Sequence, residues 1–331
     1  MRWLIPLVFL LAGCAPQLEE LPAVPSPYSW GPQAVNLEWW YVSSYLPQAQ
    51  IAFHWAFFKL VPPPALKIHG IPADLLHPSP IYLSQLEVTN LKTGTVRFEE
   101  CDSFQGCPAQ VSYPPLELAQ NGWQLRQVGS HFLFRAGPIE ARLTPLKPPV
   151  VELPGYSGTQ ATGRMAYISY PRLLLVGKIH GQWVRGLAWM DHQWGNQQPG
   201  ASATWDWFGL HLSNGADLML YEIRDAQGQV VQTIGDLTDG EGEVHPLKDL
   251  RMVPTATWRS PTGRLYPVAW EIRASGLRLR LQPLHLDQEL LSPIAEVAYW
   301  EGPEAGRGTY QGELVQAWGM GEFVAGAYRG S

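Results

Sequence analysis

Four short segments of this sequence bring ionisable groups in among aromatic rings. They are Asn36-Leu37-Glu38-Trp39-Trp40-Tyr41, Ala188-Trp189-Met190-Asp191-His192-Gln193-Trp194-Gly195, Trp205-Asp206-Trp207-Phe208-Gly209-Leu210-His211-Leu212 and Tyr299-Trp300-Glu301-Gly302. A carboxyl group in apolar, water-poor surroundings has its pKa raised until it can hold a proton near neutral pH. Aromatic faces attract positive charge through their quadrupoles. The combination suits acid catalysis on an apolar substrate, with the rings stabilising a developing cation.

The candidate proton donors are Asp191 paired with His192, with Glu38 and Asp206 as further carboxyls. Trp40, His54, Trp194, Trp205 and Trp207 are candidate ligand-binding residues, the last three as an aromatic wall. On a strand, Asp206 shares a face with Phe208, Leu210 and Leu212 and points into an apolar environment. His54 shares a face with Ala52 and Ala56, whose small side chains leave room for a ligand. A purely structural reading stands beside each of these. In a chain with 15 Trp, tryptophan clusters are mostly core, and a buried acid is often bonded to an indole N–H or the backbone. Gly155-Tyr156-Ser157-Gly158-Thr159 lacks the last glycine of a nucleophile elbow. There is no P-loop, dinucleotide fingerprint or H-E-x-x-H, so neither a cofactor nor a metal is expected.

The elements that carry these residues read as strands. Ile51–Phe58, Tyr82–Thr89, Trp205–Leu212 and Asp217–Arg224 are β-rich runs. Ser213-Asn214-Gly215 between the last two is a hairpin signal. Gly276-Leu277-Arg278-Leu279-Arg280-Leu281 alternates strictly, with leucines on one face and arginines on the other. No long window has a helical period, and 32 Gly and 30 Pro are spread along the chain. The fold class is all-β, as barrels or sandwiches. A boundary falls in the polar, turn-rich Asn196–Ser202, giving an N-terminal domain over 31–198 and a C-terminal domain over 199–331. Residues 61–80 and 145–160 read as loops over a barrel mouth.

The N-terminus reads as an export signal. Met1-Arg2-Trp3 precedes an apolar run, Leu4–Leu10, too short to span a bilayer, and Leu11-Ala12-Gly13-Cys14 closes it. The closing tetrad resembles a bacterial lipobox, which implies cleavage of residues 1–13 and lipidation of Cys14. Residues 14–30 are Pro-rich and read as an extended tether, placing the body at an envelope membrane. With Cys14 lipidated, Cys101 and Cys107 remain as a candidate disulfide, since an exported compartment permits one. The net charge of −6 argues against a nucleic-acid partner.

The four segments, with Leu218-Met219-Leu220-Tyr221, Trp258-Arg259-Ser260-Pro261, Tyr266-Pro267 and Asp287-Gln288-Glu289, resemble the carotenoid 1,2-hydratase (hydroxyneurosporene synthase) and AttH-like family. The resemblance runs from about Asn36 to about Gly319 and is most specific at Asp191-His192-Gln193-Trp194-Gly195, where many relatives have Glu in place of Gln193. It implies two tandem lipocalin-like antiparallel β-barrels. In the carotenoid branch it implies protonation of an isolated C=C bond and addition of water, without a redox cofactor. Asp191, His192 and Trp194 then match the acid–aromatic segment, and Tyr221 falls in a second functional strand. The expected partner is an apolar, isoprenoid- or lipid-like small molecule. Two functions are open: a hydratase-type enzyme, or a non-catalytic lipid or pigment carrier at the cell envelope.

Overall fold

The computed structural model describes residues 24–61, 67–68, 71–72, 80–103, 106–197, 203–292 and 297–327. Cys14, the leader 1–13, the first part of the tether and most of 61–80 lie outside the described residues. Among the described residues there are twenty-four strands and no helix. The first fourteen are β1 (Leu37–Leu46), β2 (Ile51–Leu60), β3 (Lys67–Ile68), β4 (Ile71–Pro72), β5 (Ile81–Asn90), β6 (Thr95–Asp102), β7 (Gln110–Ser112), β8 (Glu117–Gln120), β9 (Trp123–Val128), β10 (His131–Ala136), β11 (Ile139–Pro145), β12 (Val150–Thr159), β13 (Gly163–Ile179) and β14 (Gln182–Gly195). The rest are β15 (Ala203–Leu212), β16 (Asp217–Asp225), β17 (Val230–Thr238), β18 (Val244–Pro246), β19 (Arg251–Arg259), β20 (Leu265–Ala274), β21 (Leu277–Pro283), β22 (Glu289–Ser292), β23 (Val297–Tyr310) and β24 (Glu313–Ala327).

All pairings are antiparallel, in two large sheets. The first runs β6-β5-β2-β1-β14-β13-β11-β10-β9-β8-β7, and the second runs β18-β17-β16-β15-β24-β23-β21-β20-β19. Both follow one plan. The first and last strands pair at the centre, and the outermost strands are neighbours in sequence. Each sheet thus curls toward its own edge into a lipocalin-like barrel, which limits exposed strand edge. In the first barrel a disulfide ties Cys101 of the edge strand β6 to Cys107 in the segment leading to β7, with Cα atoms 6.1 Å apart. The Asn214-Gly215 turn joins β15 to β16, with Gly215 at φ 91°.

Residues 145–160 are a correction to the loop reading. β12 pairs with β13 and absorbs Pro154 and Gly155 in an irregularity between Val151 and Tyr156. Two backbone N–H groups of β12 bond the second barrel: Leu153 N, within the irregularity, donates to Asp236 Oδ2 at 2.6 Å, and Gly158 N, beyond it, donates to Gln232 Oε1 at 2.6 Å.

Three apolar clusters result. One fills the first barrel around Trp40, Trp55 and Phe134, and one fills the second around Phe208, Trp270 and Trp300. The third lies between the barrels and includes Trp39, Tyr41, Tyr167, Trp189, Trp205, Trp207, Tyr221 and Tyr299. At its rim Asp217 of the second barrel joins the two bodies. It meets Lys147 Nζ at 2.7 Å, accepts from Arg172 Nε at 3.0 Å, and lies 2.7 Å from His211 Nδ1. Burial alone would raise this carboxyl, but His211 and Arg172 outweigh it and hold it below its usual 3.8. Removing one partner of such a buried network leaves unpaired charge. Asp217→Asn is expected to cost about 3–5 kcal/mol in urea unfolding. Because the folded pKa is depressed, the carboxylate's contribution is present above pH 3.8 and is lost as pH falls through the folded value.

Candidate functional site

Successive side chains on a strand point to opposite faces, so register decides which candidates meet. On the first sheet, Tyr41 lies opposite Ala56 and Asp191, and Ala56 lies opposite Gln85. His54, in the next row, lies opposite Ser43 and Glu87. On the second sheet, Trp207 lies opposite Tyr221 and Glu322, and Glu322 lies opposite Glu301. These rows face one another across the gap between barrels. The site is therefore a buried inter-barrel contact, and neither barrel contains it alone.

Hydrogen bonds cross the gap repeatedly. Tyr41 Oη donates to Glu301 Oε1. Trp207 Nε1 donates to Tyr167 Oη at 2.9 Å, and Tyr167 Oη donates to Asp191 Oδ2 at 3.1 Å. Trp189 Nε1 also points at Asp191 Oδ2, at 3.3 Å. Tyr299 Oη donates to Gln85 Oε1 at 2.9 Å. Gln288 Nε2 donates to Glu87 Oε1 at 2.9 Å and to the Glu301 carbonyl at 3.0 Å. His54 Nδ1 lies 3.2 Å from Glu301 Oε1 and 3.6 Å from Glu87 Oε2. Asp191 Oδ1, Glu87 Oε2 and both His54 nitrogens are buried without a hydrogen-bond partner, which leaves them able to engage a ligand's polar group. Gly209 permits the aromatic packing: a Cβ there would come within 2.7 Å of the Trp207 ring and 3.0 Å of Trp189.

Burial dominates the electrostatics. It raises Asp191 well above its usual value despite the bonds from Tyr167 and Trp189. It raises Glu301 likewise, with the nearby Glu322 adding to the effect. Glu87 is pushed up to about 8 and Glu322 to about 7, again by burial. Burial lowers His54 to about 3, so the imidazole is neutral at physiological pH. The inter-barrel contact thus holds several carboxylic acids that keep protons near neutrality in the same cluster as Trp189, Trp205, Trp207 and Tyr221.

The expected constellation divides between three places. Asp191 and His192 are adjacent on β14 and point to opposite faces, so they do not form a donor pair. His192 turns into the first barrel, where Nε2 lies 2.8 Å from Glu38 Oε1 and Nδ1 lies 2.7 Å from the Ser29 carbonyl. Glu38 is also inside that barrel, bound by Lys59 Nζ at 2.7 Å and by the Gln33 N–H at 2.9 Å. Trp40 stacks on His192 with centroids 4.6 Å apart, and Trp194 leans on the same ring. Trp194 is therefore separated by the sheet from Trp205 and Trp207, and the three do not make one wall. Asp206 points into the second barrel, as its parity predicts, and Arg224 Nη1 holds it at 2.6 Å. Burial still pushes it up to about 7, against the opposing pull of Arg224. Asp191, His54, Trp205, Trp207 and Tyr221 are the candidates that do share the inter-barrel contact.

Sequence reasoning missed Tyr41, Glu87, Gln288 and Glu322 as members. Gln85, Glu87 and Thr89 share one polar face, which resembles a solvent face. Here both faces of the strand are buried. Raised carboxyls bind more protons folded than unfolded, so stability should fall as pH rises from about 4.5 to about 8. Thermal melts should show this slope, and Glu87→Gln combined with Glu322→Gln should flatten it.

A model of the AttH-like family matches residues 21–326. No curated protein matches the chain by sequence. Among solved structures, a protein from Nitrosomonas europaea assigned as an AttH superposes with a TM-score of 0.72 at 22% identity, covering 93% of this chain and 97% of that one. Kievitone hydratase from Nectria haematococca gives 0.66 at 17% identity, covering 91% and 92%. These likenesses agree on a shared two-barrel fold, and the family match over nearly the whole described body makes this chain a member of the AttH-like family.

Proposed function

We propose that the protein binds an apolar, isoprenoid- or lipid-like molecule between its barrels and adds water to a C=C bond by acid catalysis. The observation that carries this reading is Asp191. Its carboxyl is buried, raised by burial, oriented by Tyr167 and Trp189 through one oxygen, and unpartnered at the other. Asp191 Oδ1 gives its proton to one alkene carbon as the π pair forms the new C–H bond. The neighbouring carbon becomes a tertiary cation facing Trp189, Trp207 and Tyr221. Water adds to that carbon and loses a proton, which returns to the Asp191 carboxylate. The Glu301–His54–Glu87 group provides acceptors along the way. The hydratase in the name of the Nectria relative supports this class of reaction, and the substrate there is its own.

Incubation with acyclic isoprenoids in ¹⁸O-labelled water should give labelled alcohol. Asp191→Asn should lower the rate by at least about a hundredfold, the lower range for loss of general acid catalysis. A ligand retained unchanged by both proteins, seen by native mass spectrometry, would sink the enzyme reading in favour of a carrier.

Export and lipid anchoring at Cys14 belong to the same proposal, because an apolar substrate dissolves in the bilayer the anchor would occupy. Labelled palmitate should enter the wild-type chain in a bacterial host and the chain should fractionate with membranes. Cys14→Ser should abolish the labelling.

A further inference from the structure

The outer face of the second barrel carries an arrangement of charge that the inter-barrel site does not use. One row crosses five strands as Arg251, Arg273, Arg278, Thr309 and Leu314, each directly opposite the next. The adjacent row on the same face runs Val253, Glu271, Arg280, Arg307 and Gln316. All five arginines are exposed. Like charges directly opposite one another destabilise a sheet, yet Arg251 opposes Arg273, Arg273 opposes Arg278, and Arg280 opposes Arg307. Glu271 is the one acid in these rows, and it is taken by Arg273 at 2.7 Å. The other four arginines have no carboxylate at ion-pair distance among the described residues. This concentration of positive charge sits on a chain whose net charge is −6.

Two more observations bear on what covers it. A shallow groove of about 690 Å³ follows the rows and is lined by Arg278, Arg280, Arg307 and Leu314. Apolar side chains stand out at both ends of the face: Leu314 is 87% exposed and Val253 is 43% exposed. Guanidinium groups offer forked donors matched to phosphate oxygens, and flanking apolar groups suit the boundary just below headgroups. Single-stranded nucleic acid would call for stacking rings among these positions, and none of the ten is aromatic.

We infer that this arginine face docks on the phosphate headgroups of an anionic phospholipid bilayer. A lipid anchor sets the distance to the bilayer but not the orientation of the body, and a basic face adds attraction to anionic headgroups that turns one side toward the surface. Proximity through an anchor rests on the Cys14 reading; the docking itself rests on the face, so it is tested without the lipid.

The experiment is co-sedimentation of the full-length Cys14→Ser chain with vesicles of phosphatidylcholine alone or with a minority of phosphatidylglycerol. The leader, with Arg2 ahead of its apolar run, is shared by every variant, so the change in anionic preference between variants reads the face. The anionic vesicles should bind more tightly, and salt should erase the difference. Arg278→Gln/Arg280→Gln/Arg307→Gln, all exposed changes, should lower anionic binding by about a hundredfold, from about 1 kcal/mol for each arginine at such a surface. Circular dichroism would check that this variant keeps its β signal. Equal binding to both vesicle types, or an anionic preference that the triple change leaves undiminished, would overturn the proposal. So would loss of the preference on adding inorganic phosphate at unchanged ionic strength, which would identify a free-anion site instead. A wild-type chain that is not lipidated but still prefers anionic vesicles would separate failure of the anchor from failure of the face.

Discussion

The structure depends on strands that are buried on both faces. In β1, β2, β14, β15 and β16 one set of alternate side chains fills a barrel and the other set meets the opposite barrel. An ordinary antiparallel sheet leaves one face to water and reads as alternation of apolar and polar residues. Here both parities must be accommodated without solvent. Polar groups on either face then need protein partners, or they must give up charge.

Two solutions to that demand are visible in the same strands. Inside the first barrel, Glu38 is bound by Lys59, the Gln33 N–H and His192, and this network ties the segment ahead of β1 to the barrel. Between the barrels, the carboxyls are short of cations. Asp191, Glu87, Glu301 and Glu322 instead have raised pKa values and hold protons. Paired charge makes a structural brace, and a protonated acid among aromatic rings is the proton source in the proposed reaction. The two lie one residue apart at His192 and Asp191, separated only by the thickness of a sheet.

The two barrels share a plan and meet through their central strands. In each, the central pair joins the first and last strands, and β1·β14 meets β15·β24 while β12 meets β16 and β17. Pressed together, they place the Tyr41–Asp191 row against the Trp207–Glu322–Glu301 row. Asp217 then holds the rim with two cations from the first barrel. β12 adds two backbone donors to the second barrel's side chains. Outside this contact the second barrel turns its arginine rows to solvent.

The sequence by itself determined a good deal. Alternation and turn chemistry are local, so the strands, the Asn214-Gly215 hairpin and the all-β class were legible from it. The leucine–arginine alternation in 277–281 gave both the core face and the exposed basic face of β21. Parity alone placed Asp206 with Phe208 and Leu210. Motif order carried the family, because those residues keep their spacing whatever surrounds them. Tertiary structure decided which residues meet. Parity says that Asp191 and His192 diverge, but only the docking of two barrels says that both directions are buried and where each leads. Glu87, Glu301 and Glu322 come from three strands in two barrels, and nothing local relates them. Their proton affinity is set by the water excluded when the barrels close on one another, and that is a property of the contact between domains.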